Sequence, residues 1–210
     1  MSEPAPGPSV GGSRAGAAAQ LPSMGDVLVA LLRAVNVGGR TVRSVDLKAA
    51  AAELGHTQVA TYAASGNLVL VPAADADPAT IGQRLSRALG RHAGFAAPVL
   101  TRTAQQWDRI VADVPCPEHA AEDPSRLTVI VWDGTPDPDA VAGFDPGRYG
   151  EEEVVWHGDE AYVYYPHGIG RSRLTLDVLS REAGLVGTGR NWRTVLALQQ
   201  LADERRGRSG

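Results

Sequence analysis

The chain has 210 residues and a formal net charge of −4, a balance that weighs against a general nucleic-acid binder, whose footprint is usually basic. Its hydrophobic fraction of 43% is enough for a packed core, yet no apolar run approaches the length that crosses a bilayer, so a soluble, cytoplasmic protein is expected. The single cysteine, Cys116, cannot form an internal disulfide, and no Cys/His cluster has zinc spacing, so no metal site is expected.

Residues 1–23 are rich in Gly, Ala, Pro and Ser and lack the apolar middle of a secretory signal; they read as a disordered extension. Met24 stands directly before the first strand-like run, so either it is the true start or the residues before it are dispensable. Val27 to Leu32 is a β-prone run buried on both faces, ending at Arg33. Ser44 is placed to cap a helix with Leu47, Ala50, Ala51 and Leu54 on one stripe, stopped by Gly55. Val59 to Ala63 and Leu68 to Val71 flank Ser65-Gly66-Asn67 as a hairpin. Asp77-Pro78 opens a helix carrying Ile81, Leu85 and Leu89, and Ala97 to Leu100 follows as a strand. The sum is β-α-β-β-α-β, the ferredoxin-like order, over residues 24–102.

The remainder reads as a second, smaller α+β part over 103–203. Thr103 and Gln106 have capping-box spacing for a helix with Trp107, Ile110 and Val111. Glu118 to Asp123 is expected to be an exposed loop and Leu127 to Trp132 a buried strand. Val154 to Trp156 and Ala161 to Tyr165 form a hairpin around Gly158-Asp159. Helices over Ser172 to Ala183 and Asn191 to about Leu201 close the chain, before a frayed basic tail at 204–210. The two halves show no sequence repeat, although they can share a β-rich plan.

The familiar catalytic motifs are missing. No phosphate-binding P-loop or Gly-x-Ser-x-Gly elbow occurs, and His56, His92, His119, His157 and His167 are scattered. Gly168-Ile169-Gly170 begins like a dinucleotide fingerprint, but Arg173 stands where its third glycine belongs. No motif names a cofactor or a reaction.

Four turns instead combine glycine with hydrogen-bond donors: Arg33 with Asn36-Val37-Gly38-Gly39; Ser65-Gly66-Asn67; His167 through Ser172; and Thr188-Gly189-Arg190-Asn191-Trp192. Glycine lets backbone approach a ligand closely, and arginine offers a planar fork for phosphate or carboxylate. The last two turns are expected to sit at helix N-termini, which favour anions. Plain structural roles compete with this. The glycine turns suit simple chain reversals, Thr188 or Asn191 suits a helix cap, and Trp192, Val195 and Leu198 suit a core stripe. Arg33, ending a buried strand, needs a partner: an internal carboxylate or a ligand.

These same segments resemble the bacterial domain-of-unknown-function family 1697. Leu31 through Gly39 is similar to its opening motif and Thr61 through Asn67 to its second. His167-Gly168-Ile169-Gly170 with Ser172, and Thr188 through Val195, are similar to its closing pair. The resemblance implies an α+β architecture with a ferredoxin-like first part and brings no activity. The leading expectation is a cleft for a small anionic ligand, bearing phosphate or carboxylate. Arg33, Asn36, Gly38, Ser65, Gly66, Asn67, Gly168, Gly170, Ser172, Arg190 and Asn191 would bind it and His167 would move a proton. The alternatives are a non-catalytic regulatory or assembly protein, or a nucleic-acid module using Tyr62, Tyr162, Tyr164 and Tyr165 for stacking.

Overall fold

The computed structural model describes residues 27–33, 41–63 and 66–208. The expectations for residues 1–23, Met24, Asn36, Val37, Gly38, Gly39 and Ser65 lie outside these. The first half runs β1 (Leu28–Leu32), α1 (Ser44–Glu53), β2 (Thr57–Thr61), β3 (Asn67–Val71), α2 (Ile81–Ala93), β4 (Val99–Thr103) and α3 (Ala104–Ala112). After α4 (Pro117–Glu122) come β5 (Leu127–Trp132), α5 (Pro138–Ala142), β6 (Glu153–His157), β7 (Glu160–Tyr164), α6 (Leu176–Ala183), β8 (Gly187–Asn191) and α7 (Trp192–Arg206).

The first sheet has the order β2-β3-β1-β4, antiparallel throughout. This is the expected ferredoxin-like arrangement. The second sheet, β6-β7-β5-β8, is also antiparallel and follows the same plan. Each half is therefore a β-α-β-β-α-β unit with one further helix after its last strand. The chain is an α+β protein built on one topology used twice.

Strand alternation decides what each sheet face touches. On β1, Val29 and Leu31 enter a central cluster, while Leu28, Ala30 and Leu32 face α1 and α2. On β5, Leu127, Val129 and Val131 enter the same central cluster, and Ile130 and Trp132 face α6. Helices α3 and α7 fill the centre with Trp107, Ile110, Trp192, Val195 and Leu198. Two buried polar tips are satisfied across it: Trp107 Nε1 donates to the Val195 carbonyl at 3.0 Å, and Tyr162 Oη to that of Ile110 at 2.8 Å. One core thus belongs to both halves.

Local signals explain most boundaries. Thr103 and Gln106 close the capping box that starts α3, and Gly94 ends α2 in the left-handed conformation. Ser44 departs from its expected role: it is the first residue of α1 and its hydroxyl meets that of Thr61 at 2.5 Å. Asp77 caps a turn that leads into α2, which itself begins at Ile81.

Three further expectations are corrected. Glu118 to Asp123 is largely helical, because Pro117 preorganises the first turn of α4. The last helix continues through residues expected to fray. Arg205 is buried and donates to the Gln58 carbonyl at 2.7 Å, and Arg206 holds Asp108 with bonds of 2.7 and 2.8 Å. Thr188 through Asn191, expected to form a turn with Trp192, lie in strand β8. Its glycines have poor β-propensity, but a Cβ at Gly187 would lie 2.4 Å from the Trp132 ring. Packing selects glycine there and overrides propensity.

His56 is buried between α1 and β2, accepting from the Ala73 N–H through Nδ1 at 3.1 Å. Desolvation, then Arg84, holds its pKa below the ordinary histidine value. The unfolded chain therefore binds the proton more readily. The neutral ring's contribution is complete above the unfolded value of about 6.5 and is lost as pH falls from there through the lower folded value. Urea denaturation between pH 7.5 and 5.5 should show wild-type stability falling, at most about 1.4 kcal/mol per pH unit from this group. His56→Gln should show a flatter profile; equal slopes would refute the assignment.

Candidate functional site

The site grows from an arginine that crosses between the halves. Arg190 lies on β8 opposite Val129, one residue before the cap of α7, with its side chain pointing away from its own outer helix. Its Nη2 donates to the carbonyls of Leu32 at 2.8 Å and Gly66 at 3.3 Å, at the end of β1 and beside β3. Nη1 donates to Thr188 Oγ1 and to the Gly189 carbonyl, both at 2.8 Å, and Nε to Asn67 Oδ1. Thr188 Oγ1 in turn donates to the Leu32 carbonyl at 3.1 Å, and Asn67 Nδ2 to that of Tyr62 at 2.9 Å. Burial lowers the Arg190 pKa to about 10, so the group stays cationic at neutral pH.

The opposite crossing has the same form. Arg102 lies on β4 opposite Val29, one residue before the cap of α3. Its Nη2 donates to the carbonyls of Trp132 at 2.8 Å and Asp159 at 3.2 Å, its Nη1 to that of Thr101, and its Nε to Glu160 Oε1 at 2.9 Å. Even the backbone repeats: Leu32 N–H meets the Gly66 carbonyl at 2.8 Å, as Trp132 N–H meets that of Asp159 at 3.0 Å. One difference matters. Where Arg102 faces the carboxylate of Glu160, Arg190 faces the neutral amide of Asn67. Burial outweighs Arg102 and lifts the Glu160 carboxyl above its ordinary range. The Arg102 crossing contains an ion pair, while the Arg190 crossing uses an amide in its place.

Three of the expected site residues gather here, Gly66, Asn67 and Arg190. Arg33 follows Leu32, its N–H bonds the Pro98 carbonyl at 2.9 Å, and its Nη2 lies 3.3 Å from Asp177 at the start of α6. Of the two partners open to it, the structure supplies an internal carboxylate. The third turn is arranged differently from its expectation. Gly168 through Ser172 makes a 3-10 turn over Ile169–Arg171, and α6 begins later, at Leu176, capped by Thr175. Ser172 Oγ instead accepts from the Leu174 N–H at 2.9 Å. That turn is therefore no helix N-terminus. His167 is exposed, 3.3 Å from Glu151, and Gly168 and Gly170 have open space where a Cβ would stand. Asn191 caps α7 through the Arg193 N–H at 3.1 Å and donates to the Ser125 carbonyl.

On the outer face of β8, opposite the Arg190 side chain, lies a cavity of about 230 Å³ lined by Ser125, Arg126, Thr128, Ile130, Tyr165, Ile169, Leu176, Gly189 and Asn191. It joins the third turn, through Ile169, to the fourth, through Gly189 and Asn191. Leu176 on its wall precedes Asp177, the partner of Arg33. Comparison of the two halves explains the opening. Helix α2 has 13 residues and α6 has 8. The first turn of α2 lies so close to β4 that a Cβ on Gly82 would stand 2.4 Å from the Val99 carbonyl oxygen. In the second half the corresponding chain is the 3-10 turn and its approach to Thr175, and space remains over Gly189.

A tandem ferredoxin-like α+β protein with one open strand–helix seam is the class these features define. The chain belongs to the protein family of unknown function DUF1697, whose model matches residues 26–162. That span contains the first two motifs; the closing pair lies beyond it. The fold is similar to that of the conserved bacterial protein SP0830 from Streptococcus pneumoniae, at 17% identity and a TM-score of 0.61 over 85% of this chain and 99% of that one. No curated protein matches the sequence.

Sequence reasoning singled out Arg190 and missed Arg102, Glu160, Ser125, Arg126 and Thr128. The signal for Arg102 was present: Thr101-Arg102-Thr103 and Gly189-Arg190-Asn191 each place arginine one residue before a helix cap. Arg190→Ala would remove the bonds that Arg190 donates to Leu32, Gly66, Asn67, Thr188 and Gly189 in a buried cluster, and a loss of about 3 kcal/mol or more in urea denaturation is expected. Arg190→Lys should recover only part, since an ammonium lacks the fork. Gly82→Ala should cost about 1–3 kcal/mol through overpacking, against less than about 0.5 kcal/mol for Gly170→Ala; equal costs would contradict the close seam at α2.

Proposed function

We propose that this protein binds a small anionic ligand in the cavity over β5 and β8. The observation that carries the reading is the unequal pair of seams: the first half closes the space between its last strand and outer helix, and the second leaves it open. Residues from the third and fourth glycine-rich turns line that opening, and Arg126 is its one charged lining residue among those described. Its Nε is 3.0 Å from Asp123, which orients the guanidinium at the start of β5. Gly189 keeps the floor low, because a Cβ there would already approach Thr128 Cγ2 at 3.2 Å. In this reading Leu32, Gly66, Asn67, Thr188 and Arg190 hold β8 against the first sheet and so fix the cavity floor from behind. Of the four tyrosines in the stacking alternative, Tyr162 and Tyr165 are buried and Tyr164 lies under His119 with ring centres 3.7 Å apart, which leaves Tyr62 exposed without the others beside it as a platform.

A thermal-shift panel of small carboxylates and phosphates checks the proposal. A ligand at a hundredfold excess over its Kd adds about 2.7 kcal/mol, which raises Tm by roughly 5–10 °C for a chain of this size. Ile169 is exposed, so Ile169→Trp can fill the mouth without removing core. The shift should vanish in that variant while its unliganded Tm stays near wild type. A shift unaffected by Ile169→Trp would place binding elsewhere.

A further inference from the structure

Size and polarity of the same cavity narrow its occupant; this step rests on the ligand-binding reading above. An apolar cavity of about 150 Å³ accepts benzene, and drug-sized ligands take about 300 Å³ or more. At about 230 Å³ the space suits roughly nine or ten non-hydrogen atoms by proportion to benzene. A nucleotide is more than twice that size.

The lining is divided along the strands. Thr128 pairs with Asn191, and Ile130 with Gly189. Ser125 and Arg126 precede β5, so the polar groups Ser125, Arg126, Thr128 and Asn191 cluster at one end. Ile130 lies beyond them on the same face of β5, and Tyr165, Ile169 and Leu176 add the remaining apolar walls. No acidic side chain is among the described lining residues. One guanidinium and an amide at one end match a single carboxylate. A phosphate ester would bring nearly twice the charge into a mostly apolar space, at a desolvation cost that one arginine does not offset.

We infer that the cavity takes a monocarboxylate with one aromatic ring or a branched aliphatic body, its head at Arg126 and Asn191 and its body against Ile130, Tyr165, Ile169 and Leu176.

The test is calorimetric titration of the full chain with phenylacetate and 4-methylpentanoate, each beside its amide, and with AMP. The acids should bind at least about tenfold more tightly than the amides, a difference of about 1.4 kcal/mol. Arg126→Ala should abolish that preference, and Ile169→Trp should abolish binding itself. AMP binding that Ile169→Trp removes, with the acids silent, would overturn the ligand class and leave the anion site standing. Amides binding as tightly as acids would overturn the carboxylate head and the anion reading together. Silence from every probe would overturn the monocarboxylate class, while the wider panel of carboxylates and phosphates decides the anion site separately.

Discussion

Two buried guanidinium groups, each sent by the last strand of one half into the strand ends of the other, make the two sheets a single object. Arg190 gathers the ends of β1 and β3 against β8. Arg102 does the same for β5 and β7 against β4. Carbonyls at strand ends have accepting capacity that the ladder does not fill, even where, as at Gly66 and Asp159, one backbone N–H is accepted, and leaving buried acceptors short of donors costs more than their pairing gains. A planar cation with five donors answers several at once. The helices that follow these strands, α3 and α7, then fill the space between the sheets. Register, core and crossing are consequences of one placement: an arginine just before a helix cap.

A duplicated plan lets chemistry differ between equivalent positions without disturbing the frame. Glu160 and Asn67 occupy matching places beside their arginines, yet one is a carboxylate and the other an amide. The outer seams differ likewise. Gly82 permits α2 to close on β4, whereas α6 begins too late to cover Gly189. One half reads as a closed scaffold, and its counterpart carries the opening and its single lining cation. Symmetry provides the control that a lone domain lacks.

Legibility followed periodicity. α2 was readable because apolar residues recur at helix spacing, and β1 and β5 because each is a nearly continuous apolar run; all of their expected core positions are buried. Of the residues named by the four-turn reading, Gly66, Asn67 and Arg190 meet one another at the strand ends, while Arg33 turns to Asp177. β8 was hidden, since two of its five residues are glycines chosen by the Trp132 and Thr128 side chains packed across them. No pattern within residues 187–191 could report a contact with residues some sixty positions away. The start of α6 was misplaced because Ser172 makes a good cap in sequence, while in space it caps a turn. Arg126 escaped notice because only folding sets it beside Ile169 and Asn191.

The last helix, α7, has a consequence for how such a chain is made. It lies in the core against Val29 and Val69 of the first sheet, and its Arg205 holds the Gln58 carbonyl on that sheet's edge. Synthesis proceeds from the other end, at about 5–20 residues per second. The first sheet therefore leaves the ribosome with only α3 on its inner face, and the remainder of that face stays uncovered until later elements, α7 among them, emerge. During that interval the uncovered apolar surface is open to solvent. A chain cut short before α7 lacks Trp192, Val195, Leu198 and Ala202 from its core and keeps that part of the face exposed.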